Sequence, residues 1–252
     1  MNHVDLRIYG ELNRLLWNHR EGGEIIIHIK GTPSVKDVVE SLGIPHSEVG
    51  LLLIDGEVEG FSRKLYGGER VSVYPVFKKI DVNSISKTVI EFPEVHRFVL
   101  DVHLGKLARY LRMLGFDVVY RIDADDPWLA NISESEKRIL LSFDRELLMR
   151  KNVSYPYLVR SRYPMEQLKE VIEKFNLLEN IKPFSRCLVC NGVLVPINKE
   201  KIEDQLPEGV REIRHVFKIC ENCGKIYWKG THTDKMDVII NGLRQGNRNE
   251  NM

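Results

Sequence analysis

The chain has 252 residues and a formal net charge of +1, with 43% hydrophobic and 29% charged residues, which is ordinary globular make-up for one large domain or two to three smaller ones. No apolar run approaches the roughly 20 residues of a membrane span, and the start, Met1-Asn2-His3-Val4-Asp5-Leu6-Arg7, lacks an apolar signal segment, so a cytoplasmic protein is expected. Residues 1–97 carry 12 basic and 14 acidic side chains and residues 98–252 carry 25 and 22, a division that permits a nucleic-acid partner without requiring one.

Residues 1–77 read as a β-rich unit. Val4, Leu6 and Ile8 alternate with polar residues, Glu24 to Ile29 forms a second strand, and Val71 and Val73 mark a late one. A helix starts at Thr32-Pro33-Ser34, buries Val35, Val38, Val39 and Leu42 in one stripe, and stops at Gly43 and Pro45. Leu51 to Ile54, the Asp55-Gly56 turn and Val58 spell a hairpin. This order resembles the ubiquitin-like β-grasp fold, especially its sulfur-carrier branch. Sulfur carriers work through a free C-terminal Gly-Gly, whereas this unit ends Tyr74-Pro75-Val76-Phe77 and runs on, which leaves it docking to a protein partner.

Residues 78–97, with Lys78-Lys79, Asn83, Ser84, Ser86 and Pro93, show no sustained period and read as a linker. A second unit over 98–181 alternates strand and helix. Phe98-Val99-Leu100 is a strand buried on both faces that ends on Asp101, and the helix after it places Leu104, Leu107, Ala108, Leu111 and Leu114 on one side before Gly115. Phe116 to Tyr120 is the next strand, and Asp125-Asp126-Pro127 opens a helix. A third strand, Arg138 to Phe143, runs into Asp144; Tyr157-Leu158-Val159 and a helix from about Met165 to Leu177 follow. The alternation predicts an α/β fold with a parallel sheet.

All four cysteines lie in residues 182–240, as Cys187-Leu-Val-Cys190 and Cys220-Glu-Asn-Cys223 with 29 residues between the pairs. Two such turns close a tetrahedron of thiolates around Zn²⁺ with no open position, so the site is structural. Gly192 and Gly224 trail the pairs and let the backbone turn its amides toward the sulfurs. Two disulfides, or a redox Cys-x-x-Cys, are the competing readings. The Gly-, Asn- and Arg-rich stretch 241–252 reads as a disordered tail.

Ligands of an open parallel sheet collect at the carboxyl ends of its strands, and Asp101 and Asp144 each follow an apolar strand. Asp125 or Asp126 adds a third carboxylate, with Asp123 and Glu146 as outer candidates. Acids gathered in one crevice repel unless a divalent cation offsets them, and hard oxygen ligands select Mg²⁺ or Mn²⁺. Taken singly, each aspartate equally fits a helix cap. Residues 98–101, the helix Leu104 to Val118 and Ile139 to Leu148 resemble the PIN-like RNase family named after the C-terminal domain of the mutator exoribonuclease. The zinc ribbon with Tyr227-Trp228-Lys229-Gly230-Thr231-His232 and the ubiquitin-like unit extend the resemblance over nearly the whole chain. It implies a PIN-type sheet and Mg²⁺- or Mn²⁺-dependent RNA cleavage, with Asp101, Asp125 or Asp126, and Asp144 as catalytic acids. Ser142-Phe143 departs from the family's more frequent Thr-Arg; the hydroxyl is kept and a cation lost.

Lys106, Arg109 and Arg112 recur every three residues on the helix leaving Asp101, beside Arg145 further on, and in the ribbon Arg186, Lys218, Lys225 and Lys229 interleave with Tyr227 and Trp228. These are the candidate RNA contacts, against a solvated helix face and a ribbon core as the bland readings. His232 reads as a surface histidine, a proton shuttle or an RNA contact. The expectation is a metal-dependent ribonuclease; the competing functions are a non-catalytic RNA-binding adaptor and a sulfur-transfer partner. No Gly-x-Gly-x-x-Gly follows the first strand, which argues against a dinucleotide-binding enzyme.

Overall fold

The computed structural model describes residues 2–17, 23–77, 80–82, 84–211, 216–228 and 237–245. Strands β1 (His3–Ile8) and β2 (Glu24–His28), helix α1 (Val35–Ser41), the hairpin β3 (Val49–Ile54) and β4 (Glu57–Val58), and β5 (Arg70–Pro75) form the N-terminal unit. Its sheet has the order β2-β1-β5-β3-β4, with β1 and β5 parallel at the centre, as the β-grasp reading requires. Ser34 caps α1 and forms a reciprocal capping box with Asp37. Asp55 and Gly56 take φ of 51° and 89°, the left-handed pair that a two-residue hairpin of this twist needs.

The stretch between the two units has no regular element among its described residues, but it is pinned down. Ser86 Oγ donates to the Gly50 carbonyl (2.7 Å), Thr88 Oγ1 donates to that of Val49 (3.3 Å), and Phe92 meets the ring of Phe175 edge-on.

The second sheet comprises β6 (Arg97–Leu100), β7 (Asp117–Tyr120), β8 (Ile139–Ser142) and β9 (Pro156–Leu158), joined through helices α2 (Gly105–Met113), α3 (Asp126–Ser135) and α4 (Arg145–Leu148) and followed by α5 (Pro164–Lys174). Every neighbour is parallel and the order is β7-β6-β8-β9. Alternation along the buried strands divides two cores: Phe98, Leu100, Ile139 and Leu141 face α2 and α5, while Val99 and Leu140 face α3 and α4. Because the chain leaves β6 for one neighbour and returns to place β8 on its other side, the sheet reverses direction between β6 and β8. A crevice opens there at the strands' carboxyl ends.

The third sheet, β10 (Leu194–Ile197), β11 (Phe217–Cys220) and β12 (Ile226–Trp228), is antiparallel, with a helical turn α6 (Glu208–Arg211) before β11. Composition misled at the C-terminus: residues 237–245 are helical, and Ile240, with Ile239 and Leu243 beside it on one face, packs into the α2–α5 core. Residues 246–252 lie outside the described residues. No helix among the described residues is long and apolar enough to cross a membrane.

Candidate active site and metal centre

Asp101 and Asp144 flank the reversal point, joined by one hydroxyl. Ser142 Oγ donates to Asp101 Oδ2 (2.5 Å) and accepts the Asp144 N–H (2.8 Å), and Ser142 is fully buried. The serine therefore fixes the angle of the buried Asp101 carboxylate and the start of the loop bearing Asp144. Asp101 Oδ1 also accepts the His103 N–H (3.0 Å), and Asp144 Oδ1 accepts those of Glu146 (2.8 Å) and Leu147 (3.3 Å), so each acid opens a helical turn as well as facing the crevice.

The two candidates for the third acid separate in space. Asp125 is exposed and caps α3 by accepting the Trp128 N–H (2.9 Å). Asp126 is half-buried, and partial burial together with the charges of Asp144 and Asp101 pushes its carboxyl up from the ordinary value, against the opposing pull of Arg150. Asp123 turns outward into a pair with Arg121 (2.9 Å).

The four cysteine sulfurs lie within 4.8 Å of one another, with Cys187 to Cys223 at 3.7 Å and Cys190 to Cys220 at 3.4 Å. Four thiolates about 2.3 Å from a tetrahedral Zn²⁺ stand about 3.8 Å apart, so the donor set can hold such an ion. The two knuckles repeat one backbone pattern. The N–H groups of Asn191 and Gly224 donate to the carbonyls of Cys187 (3.0 Å) and Cys220 (2.9 Å), and those of Cys187 and Cys220 donate to Gly192 (2.8 Å) and Lys225 (3.0 Å). Asn191, with φ of 68°, takes the left-handed position that Gly224 (72°) takes in the second knuckle. Gly192 serves a different need, since a Cβ there would stand 2.7 Å from Cys220 Sγ. Burial raises the Cys187 thiol, but the Cys190 N–H and the Tyr227 hydroxyl outweigh it and bring it down to about 6.

The ribbon is bolted to the edge strand β7. Asn191 Oδ1 accepts the Val118 N–H (2.9 Å), as a further strand would, while its Nδ2 donates to Asp117 Oδ1 (2.7 Å). Asp117 also pairs with Arg138 at 2.8 Å and Arg186 at 3.7 Å, which together with Asn191 hold its carboxyl below the ordinary value despite burial.

The family model of the Mut7-C RNAse domain matches residues 96–240, more than half of the chain, and that of Mut7-C ubiquitin matches residues 1–81. The chain belongs to the Mut7-C RNAse domain family. No curated protein and no solved structure matches it. A Mut7-C RNase domain points to a nuclease with RNA as its substrate, and the ubiquitin-like domain supplies a surface able to engage a protein.

Within the Mut7-C domain the proposed cationic stripe breaks up. Lys106 and Arg109 are exposed as expected, but Arg112 is only 5% exposed. Steps of three residues turn a helix by about 300°, so each successive side chain drifts about 60° round the barrel, and by Arg112 the stripe has reached the packed side. Its guanidinium donates twice to the Val118 carbonyl (3.0 and 2.9 Å) and to those of Val189 (2.9 Å) and Leu188 (3.4 Å), joining α2, β7 and the first zinc knuckle. Arg112 is a tie between elements and not an RNA contact. Arg145 is corrected likewise. It reaches into the ubiquitin-like domain, donates to the carbonyls of Leu15 and Gly43 (3.1 Å for the latter), and lies 4.1 Å over the Trp17 ring.

The ribbon aromatics are core. The Tyr227 hydroxyl contacts Cys187 Sγ (3.1 Å) and accepts the Leu188 N–H (3.0 Å), and Trp228 packs on Ile202, Leu206 and Phe217. Lys218 donates to the Phe184 carbonyl (2.7 Å), which leaves Lys225 exposed and without a partner among the described residues. Lys229 and His232 lie outside the described residues.

Proposed function

We propose that this Mut7-C protein is a divalent-metal-dependent ribonuclease that hydrolyses RNA phosphodiester bonds at Asp101, Asp126 and Asp144. One observation carries this reading: the half-buried Asp126 carboxyl is pushed up by the charges of the two acids flanking the sheet's reversal point, an electrostatic conflict that a hard cation relieves. The donor set is all oxygen and fits Mg²⁺ or Mn²⁺. Such an ion supplies an activated water and charge against the leaving oxygen. The chain's own residues do the positioning: Ser142 holds Asp101 and the Asp144 loop in register, while Lys106 and Arg109 on α2, with Lys225 and Lys229 on the ribbon, supply cations for backbone phosphates. Assignment to a PIN-type nuclease rests on the parallel sheet with acids at its strand ends.

A second reading, an RNA-binding adaptor, draws on the helix-start hydrogen bonds of Asp101, Asp125 and Asp144. It also draws on the cysteines being the group, among the described residues, whose ligand atoms already converge. An Asp144→Asn variant separates the two. Asparagine keeps the oxygen that accepts from Glu146 and Leu147, so fold and zinc content persist. Metal-dependent cleavage of a labelled RNA is expected to vanish. Equal degradation by variant and wild type would expose contamination and sink the proposal; RNA binding that ignores chelation, with no cleavage under any divalent ion, would favour the adaptor.

A further inference from the structure

The largest cleft lies between the two N-terminal units, about 740 Å³ in volume. One wall is ubiquitin-like, with Arg14 and Leu15; the other is nuclease, with His103, Phe143, Arg160 and Arg162. His103 is two residues beyond Asp101 and Phe143 stands between Ser142 and Asp144, so the floor of the cleft adjoins the proposed acids.

The walls are held together before any ligand arrives. Arg145 ties α4 to Leu15 and Gly43 and stacks on Trp17, the buried Glu48 pairs with Arg160, and the Leu15 side chain packs against the cores of both units. These bonds account for Arg145 and Arg160, and Glu11 faces Arg160 as well, at 3.9 Å. Arg14 and Arg162 remain exposed and have no partner among the described residues. The cleft therefore offers two uncommitted cations, one on each wall, above an aromatic ring. That is the combination which binds single strands, cations for the backbone and a flat face for a base. The volume falls in the range that encloses a ligand of a few rings and leaves no room for a duplex.

We propose that this cleft seats a single-stranded RNA segment leading to Asp101 and Asp144, and that the ubiquitin-like domain is one wall of the substrate site, contributing Arg14. The inference rests on the ribonuclease reading. It also gives Phe143 a role: the position loses a cation and gains a stacking face.

The test uses the full chain carrying Asp144→Asn, with binding of a fluorescein-labelled 10-nucleotide RNA followed by anisotropy across a salt series. Adding Arg14→Ala and Arg162→Ala, both surface changes, is expected to weaken binding roughly tenfold per arginine. The slope of log affinity on log salt should fall by about 1.4, from two phosphate contacts at roughly 0.7 each on a single strand. Arg70→Ala, at an exposed pair with Glu24 elsewhere, serves as the neutral control. Unchanged affinity and slope in the double variant, with wild-type protein cleaving RNA, would overturn the cleft alone. A wild type without metal-dependent cleavage would overturn the ribonuclease reading beneath it, and duplex RNA bound as tightly as the single strand would overturn the strand assignment.

Discussion

Replacing Arg112 by methionine keeps the length of the side chain's apolar stem in the packed layer and removes the guanidinium that joins α2, β7 and the first zinc knuckle. A hydrogen bond from a charged donor contributes about 1.5–3 kcal/mol, and the carbonyls of Val118 and Val189 each lose a short one. Against this stands the cost of burying the cation, visible in the direction its pKa moves, since burial lowers it below the ordinary arginine value. A net loss of about 2–3 kcal/mol follows, or a fall in Tm of roughly 5–10 °C at about 2–4 °C per kcal/mol for a protein of this size. The loss is local to the knuckle, so zinc release to a chromogenic chelator should accelerate. Thermal melts, timed zinc release and RNA anisotropy on Arg112→Met measure all three quantities. If Tm and zinc release match the wild type while RNA binding drops, Arg112 is a nucleic-acid contact after all and the assignment made from its four donated hydrogen bonds is wrong.

Two further outcomes are expected. Gly192→Ala, whose Cβ would meet Cys220 Sγ at 2.7 Å, should lower bound zinc well below one per chain, whereas Gly224→Ala has open space around it and costs only left-handed strain of about 1–2 kcal/mol; metal analysis showing the reverse order would refute the account of the two glycines. Asp126 must be ionised to hold a cation, and its carboxyl binds a proton more readily than an ordinary aspartate at 3.8. Mn²⁺ affinity and cleavage should therefore rise with pH through a window above that value and be lost as pH falls through it, a dependence that Asp126→Asn abolishes. Calorimetric Mn²⁺ titrations that are flat across the acidic range would remove Asp126 from the site.

Local signals carried much of this protein. The Cys-x-x-Cys pairs, the Ser34 capping box, the Asp55-Gly56 turn and the leucine stripe of α2 each depend on residues within a few positions of one another, where sterics and periodicity act without reference to the rest of the chain. The acids at strand ends were legible for the same reason, because an apolar run that stops on an aspartate marks a strand terminus. Side chains whose partners lie far away were not legible. Nothing near Arg145 in sequence announces Leu15, Gly43 and Trp17, more than 100 residues earlier. Arg112 and Asn191 meet across β7, 79 positions apart, and Trp228 found a core built from residues 202 and 206.

By itself, then, the sequence determined which segments become strands and helices, the four sulfur ligands and the acids brought to the sheet's carboxyl edge. Only the tertiary structure decided between Asp125 and Asp126, withdrew Arg112 and Arg145 from the surface, and placed Arg14 opposite Arg162. Secondary structure and metal spacing are set by short-range geometry, but the fate of a charge depends on what is packed against it, and that is fixed only when distant elements meet.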